Sequence, residues 1–141
     1  MGFSKTRKIS IVITVLLFLS FLFANIYAIR RMGHYGVELY LYDKLLVAYQ
    51  VGGASGMKEE LGRILLGDKM PHEIAEAKAF KKNLDSLEAP DKYLKNVVED
   101  RKNKINLFRN LRNIAFACIM LLVLIRAALN FRRKPDSETI S

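Results

Sequence analysis

The stretch ISIVITVLLFLSFLFANIYAI, residues Ile9–Ile29, contains no charged side chain in 21 positions. As an α-helix it would be roughly 31 Å long, which is about the thickness of the hydrocarbon core of a bilayer. Its polar side chains can bond to backbone carbonyls of the preceding turn or lie near the interface. They are Ser10, Thr14, Ser20 and Asn25. We therefore predict a transmembrane helix over residues 9–29.

The same stretch could instead be the apolar region of a cleaved signal peptide, because Lys5, Arg7 and Lys8 precede it. It is longer than the roughly 7–15 apolar residues of a usual signal peptide. Cleavage after Ala28 would also place the bulky Ile26 where a small residue is preferred. The sequence favours an uncleaved anchor and leaves the cleaved form open.

A second apolar stretch, residues 114–131, is interrupted by Arg126 and followed by a basic cluster. We predict a second transmembrane helix here, with Arg126 reaching the headgroups on the side of that cluster. Alternatively, Arg126 pairs with an acid in a helix of another chain, since neither apolar stretch contains one. The candidate membrane-interface or partner contacts are thus Arg126, Arg132, Arg133 and Lys134.

The flanking cations predict the orientation of both helices. Residues 1–8 and 132–141 carry more Lys and Arg next to the apolar stretches than the segment between them does. We therefore predict cytoplasmic termini and an integral protein of the plasma or inner membrane, with residues 30–113 outside the cytoplasm. The net charge of +9 would suggest nucleic acid in a soluble protein. Because these cations flank apolar segments, we expect no nucleic-acid partner.

Glycine and proline divide residues 30–113 into amphipathic helices. Their apolar stripes include Leu41, Leu45, Leu61, Ile64, Ala77, Phe80, Leu84, Leu94 and Val98, and Arg101 interrupts the last stripe. The first continues from the membrane and ends at the GGASG of residues 52–56, and a short helix precedes Gly67. Two more begin at Pro71 and Pro90, the last running into the second span. The predicted fold is all-α, with two transmembrane helices joined by a small extracytoplasmic antiparallel helical bundle.

Two histidines each precede a glutamate by four residues, His34 before Glu38 and His72 before Glu76. Brought together, the pairs could bind a divalent metal, since imidazole and carboxylate suit zinc or iron. Solvated helix pairs explain them more simply, so we assign no metal site. The glycines of residues 52–56 do not match a phosphate-binding loop, and no catalytic motif is recognisable. We expect neither a cofactor nor an enzyme.

These observations favour a non-enzymatic membrane protein that acts through helix–helix contacts, as an accessory or structural subunit of a membrane assembly. Its expected partners are the lipid bilayer and another protein or a second copy. The alternative is an extracytoplasmic ligand-sensing module that signals to a separate partner. The layout resembles the input half of bacterial chemoreceptors and sensor kinases in architecture alone, with no shared motif. The sequence stops about ten residues after the second predicted span, so we expect no output domain within it.

Overall fold

The computed structural model describes residues 2–132, with backbone alone for residues 2–6. It contains three helices, α1 (Gly2–Leu66), α2 (Pro71–Leu84) and α3 (Pro90–Phe131), and no strand among the residues it describes. The predicted all-α class is therefore confirmed. Helices α1 and α3 are each long and apolar enough to cross a membrane.

Proline begins both later helices, as predicted. Pro71 occupies the first turn of α2 and Pro90 that of α3, where a missing N–H removes no helical hydrogen bond. Met70, before Pro71, has extended backbone angles, which proline imposes on the preceding residue. With no glycine or proline inside it, α3 continues through the second apolar stretch without a break.

The GGASG segment does not form the predicted loop between helices. The chain is helical on both sides of one non-helical residue, Gly53, whose φ is 61° and ψ −151°. Only glycine adopts this backbone region readily, because a Cβ would clash with the backbone. The predicted break is thus correct in place and wrong in extent, since one glycine provides the change of direction.

The chain changes direction at Gly53. A Cβ built on Gly56 would lie 2.7 Å from the carbonyl oxygen of Ala48, eight residues earlier. In a straight helix, eight residues span about 12 Å along the axis. The backbone therefore changes direction at Gly53, and the close approach to Ala48 requires glycine at position 56.

The contacts divide the chain into two units. Unit 1 combines the chain up to Ile29 with the chain from Arg109 onward, and unit 2 is Arg30–Phe108. Within unit 1, Asn25 Nδ2 donates to the Arg112 carbonyl at 3.4 Å. Thr14 and Ser20 donate to backbone carbonyls one turn earlier, at 2.8 and 2.9 Å. The predicted backbone bonding of these two hydroxyls is confirmed.

Unit 2 has a hydrophobic core to which all three helices contribute. The four largest side chains that are fully buried are Leu41, Leu45, Met57 and Leu94. Around them lie buried residues from the stripes that the sequence predicted, among them Leu61, Ile64, Ala77, Phe80, Leu84 and Val98. The core therefore joins both arms of α1 to α2 and to the first part of α3.

Candidate functional site

A buried carboxylate lies at one end of this core. Glu38 is only 3% exposed, although glutamate is seldom buried without a partner. It precedes Leu41 and Leu45 by three and seven residues, so it occupies the buried face of α1. Removing a carboxylate from water is costly unless cations or hydrogen-bond donors surround it.

Arg101 of α3 supplies the counter-ion through an ion pair between its Nε and Glu38 Oε2. Arg101 follows Leu94 and Val98 by seven and three residues, which continues the buried face of α3. The sequence showed only that Arg101 interrupts an apolar stripe. That interruption was the available signal, because a charge on a buried face needs a partner.

The charge of Arg101 is favoured by its neighbours. Partial burial opposes the charged form, but Glu38 and Asp100 outweigh burial and raise the pKa of Arg101. Asp100 also pairs with Lys104 Nζ at 2.8 Å, and this contact chiefly lowers the pKa of Asp100. The cations of Arg101 and Lys104 lie 5.6 and 5.4 Å from the centre of the Tyr35 ring. The turn of α3 around Arg101 therefore forms a charged network beside Glu38.

Both histidines of the chain face the other oxygen of Glu38. His34 Nε2 lies 3.0 Å from Glu38 Oε1, and His72 Nε2 lies 3.4 Å from the same oxygen. The two imidazole rings are 4.0 Å apart between centroids, with 30° between their planes. His34 comes from α1 and His72 from the first turn of α2, so the carboxylate joins these helices as well.

The predicted solvated pairs are therefore incorrect in two respects. The partner of His34 is buried, and His72 pairs with Glu38 across the core rather than along its own helix. Glu76 instead accepts a hydrogen bond of 3.1 Å from the Tyr42 hydroxyl. The pKa of Tyr42 is raised well above its usual value, mainly because the hydroxyl is buried and to a smaller extent because Glu76 lies beside it. A spacing of four places two residues on one helical face but does not identify the neighbouring helix.

The arrangement brings metal-ligating atoms together. One ligand atom each from His34, Glu38 and His72 lies within 4.8 Å of the other two. The carboxylate is buried, whereas the side chains of His34 and His72 remain 40% and 33% exposed. The two histidine side chains therefore reach the surface, although Nε2 of His72 is itself buried.

The interface residues predicted from the second span are only partly described. Arg126 Nη1 donates to the Ser10 hydroxyl at 3.4 Å within unit 1. The amide of Arg132 donates to the Ala128 carbonyl at the end of α3, and its side chain is exposed. Arg133 and Lys134 lie outside the described residues.

No protein-family model matches the sequence, and comparisons with curated proteins and with solved structures find no match.

Proposed function

We propose that this chain is a non-enzymatic integral membrane protein that works through helix–helix contacts, as an accessory or structural subunit of a membrane assembly. Both termini would lie in the cytoplasm. Residues 30–113 would form an antiparallel helical bundle outside it, at the plasma or inner membrane. The partners would be the lipid bilayer and another membrane protein or a second copy of this chain.

The exposure of the two apolar helices carries this proposal. None of the most apolar 18 residues of α1 is buried, and only 6% of those of α3 are. The core helix of a soluble protein would be mostly covered by its own chain. Large side chains such as Phe23, Phe116 and Leu124 are 58–69% exposed here. So large an apolar surface needs lipid or other helices to cover it.

Contacts within unit 1 leave room for such partners. Among the residues of unit 1 whose burial the structure describes, the buried ones are Ala28 and Ala115, small side chains of the kind that let helices approach closely. The contacts of Ser10 with Arg126 and of Asn25 with Arg112 add polar links between the two apolar segments. Most of the bulky side chains point away from these contacts and could pack against a second copy or another membrane helix.

The test is the mass of the native particle after extraction in a mild detergent. We expect an oligomer or a complex with a co-purifying membrane protein, and we expect alkaline washing to leave the chain in the membrane fraction. A chain released by alkaline washing would contradict the membrane anchor. A particle that is strictly monomeric and free of other proteins would contradict the subunit role.

The second candidate function is ligand sensing by residues 30–113, and the cluster around Glu38 favours it. Buried ionic groups add little stability compared with a well-packed apolar core, so a function is a reasonable cause for their presence. Helices α1 and α3, which supply Glu38 and Arg101, also contain the two predicted spans. A ligand that changes this cluster could therefore act on the helices that enter the membrane.

A thermal-shift screen of the full chain in detergent tests the sensing candidate. A ligand that binds only the folded form raises the unfolding temperature by mass action. A reproducible, concentration-dependent rise with one chemical class would support sensing. A screen that includes metal ions, amino acids, sugars and carboxylates and yields no shift would contradict it.

A further inference from the structure

We propose that His34, Glu38 and His72 form a binding site for a divalent transition-metal ion, for which zinc is the best-suited occupant. The ion would be held by Nε2 of each histidine and by Oε1 of Glu38. The proposal gives the sensing candidate its ligand class. It rests on that candidate only for signalling, because the binding site itself is defined by side chains of unit 2.

The two distances from Glu38 Oε1 to the histidine nitrogens fit a tetrahedral ion. Zinc lies about 2.0–2.1 Å from histidine nitrogen and carboxylate oxygen, so two ligand atoms of one tetrahedron are about 3.3 Å apart. Glu38 Oε1 lies 3.0 Å from one Nε2 and 3.4 Å from the other. These two distances fit one ion with shifts of a few tenths of an ångström, and the ligand atoms of the two histidines lie within 4.8 Å of each other.

An unpartnered nitrogen also favours a cation between these atoms. Nε2 of His72 is buried and makes no hydrogen bond among the described residues. A metal ion held between the two histidines and Glu38 Oε1 would give this nitrogen a partner.

Arg101 is compatible with this ion and positions its carboxylate ligand. It pairs with Oε2 of Glu38 and leaves Oε1 to the histidines. Carboxylates that bind metals are commonly held by a second group in this way, which fixes their orientation. The negative charge of Glu38 would lie between the guanidinium and the metal ion and reduce their repulsion.

The ligand types identify the class of metal. Two imidazoles and one carboxylate suit zinc, and also iron, cobalt, nickel and copper, whereas calcium and magnesium prefer oxygen ligands alone. With three protein ligands, the fourth position of a tetrahedral ion would be taken by water or by a bound ligand. Since His72 is on α2 and the other two ligands are on α1, binding would link these helices and stabilise unit 2.

The experiment is a titration of the full chain in mild detergent with zinc chloride, monitored by calorimetry and thermal shift. The purification tag is removed, and Cys118→Ser is used throughout because Cys118 is the only thiol. We expect one zinc per chain, a raised unfolding temperature, and no effect of magnesium at the same concentration. Cobalt should give the visible absorption of a tetrahedral nitrogen and oxygen site.

Three variants locate the ion. His34→Asn and His72→Asn should each weaken zinc binding at least about tenfold and change the cobalt spectrum, since each removes one ligand. Glu76→Gln is the matched control, because Glu76 is four residues from His72 yet bonds to Tyr42. It should leave affinity unchanged. Glu38→Gln removes the counter-ion of Arg101 and can unfold unit 2, so the histidine variants are decisive.

Several results would overturn the site. They are the absence of saturable zinc binding by the folded chain, unchanged binding in the histidine variants, or loss of binding in Glu76→Gln while circular dichroism shows intact helices. These results are separate from the mass measurement of the subunit proposal. They are also separate from signalling, which would fail if zinc bound without changing the mobility of spin labels placed in the spans.

Discussion

Glu38 of α1 and Arg101 of α3 form an ion pair at the end of the core of unit 2. The carboxylate is almost fully buried, and the Arg101 side chain is 20% exposed. The first prediction is that Arg101→Met lowers the free energy of unfolding by about 3 kcal/mol, because it leaves a buried carboxylate without its main counter-ion.

The double variant Glu38→Gln with Arg101→Met provides the control for this pair. It removes both charges and should be more stable than Arg101→Met alone. Denaturant unfolding of the full chain in detergent, followed by circular dichroism, gives the stability of Arg101→Met, of Glu38→Gln and of the double variant. If the double variant lost as much unfolding free energy as the two single variants lose together, the two charges would not interact.

The second prediction concerns stability at high pH. Burial and Glu76 raise the pKa of Tyr42 above the value of about 10 in an unfolded chain, so the folded chain keeps this proton longer. The associated stability is complete below pH 10 and is lost as the pH rises further, by up to about 1.4 kcal/mol per pH unit. Tyr42→Phe should be less stable than the natural chain at pH 8, and the difference should shrink or reverse by pH 11.

Tyr42→Phe isolates this effect because the remaining titratable groups are shared by both chains. The measurement is the difference in unfolding free energy between the two chains across pH 8–11. A difference that stays constant over this range would show that Tyr42 is not protected by burial.

The third prediction uses the glycines at the kink in α1. Gly53→Ala should destabilise unit 2 by about 1–3 kcal/mol, because its φ of 61° and ψ of −151° belong to glycine. Gly56→Ala should also destabilise, since its Cβ would lie 2.7 Å from the Ala48 carbonyl oxygen. Gly52→Ala is the matched control. It meets no atom within 4 Å and should be neutral or stabilising, by up to about 1 kcal/mol.

Thermal unfolding of the three alanine variants in one detergent ranks them directly. The expected order places Gly52→Ala above the natural chain or equal to it, and the other two below it. If Gly52→Ala were the most damaging of the three, the kink would not be centred on Gly53.

The fourth prediction concerns Arg126, whose guanidinium donates to the Ser10 hydroxyl. If Arg126 serves the membrane interface, the Arg126→Lys and Arg126→Leu variants should both be as abundant as the natural chain and should co-purify with the same partner. In Arg126→Lys, the lysine also reaches the headgroups. Ser10→Ala should be silent too, since this exposed hydrogen bond is long. Co-purification of partners from membranes tests all three variants.

Loss of a partner in Arg126→Leu, with the chain still inserted, would contradict the interface role. It would indicate an acid in a neighbouring chain that Arg126 neutralises. Such a result would support the subunit proposal, because an unpaired acid in the membrane is costly.

The fifth prediction tests orientation with single cysteines in a Cys118→Ser background. A cysteine at Ser86, which is exposed at the end of α2, should react with a membrane-impermeant maleimide in intact cells or spheroplasts. A cysteine at Ser137 should react only after lysis. The opposite pattern would reverse the proposed topology. The intact mass of the same protein checks whether residues 1–28 are retained.

The sequence predicts the helices well because their signals are local. Pro71 and Pro90 begin α2 and α3 for reasons contained in a single residue, and helical spacing correctly assigns Leu41, Phe80 and Leu94 to the core. The extent of the break at Gly53 is less predictable. Glycines tolerate helix, loop and kink alike, and packing around Ala48 and Gly56 selects among these.

The cluster around Glu38 depends on contacts that spacing does not contain. His34 and Glu38 share a helix and are predictable as neighbours, but His72 reaches them only because the core packs α2 against α1. Arg101 lies 63 positions after Glu38, so no periodicity connects the two. A charged residue on an apolar face was the one local sign, and it indicates that a partner is needed without identifying it.

The hydrogen bond between Ser10 and Arg126 has a consequence for the order in which the chain folds. These residues are 116 positions apart, and closing a flexible loop of that length costs about 4 kcal/mol of chain entropy. Unit 2 occupies most of the intervening chain and has its own core. Once unit 2 folds, the flexible chain between the two apolar segments is much shorter. The entropic cost of pairing these segments is therefore smaller. We therefore expect residues 30–108 to form early and the pairing of the apolar segments to follow.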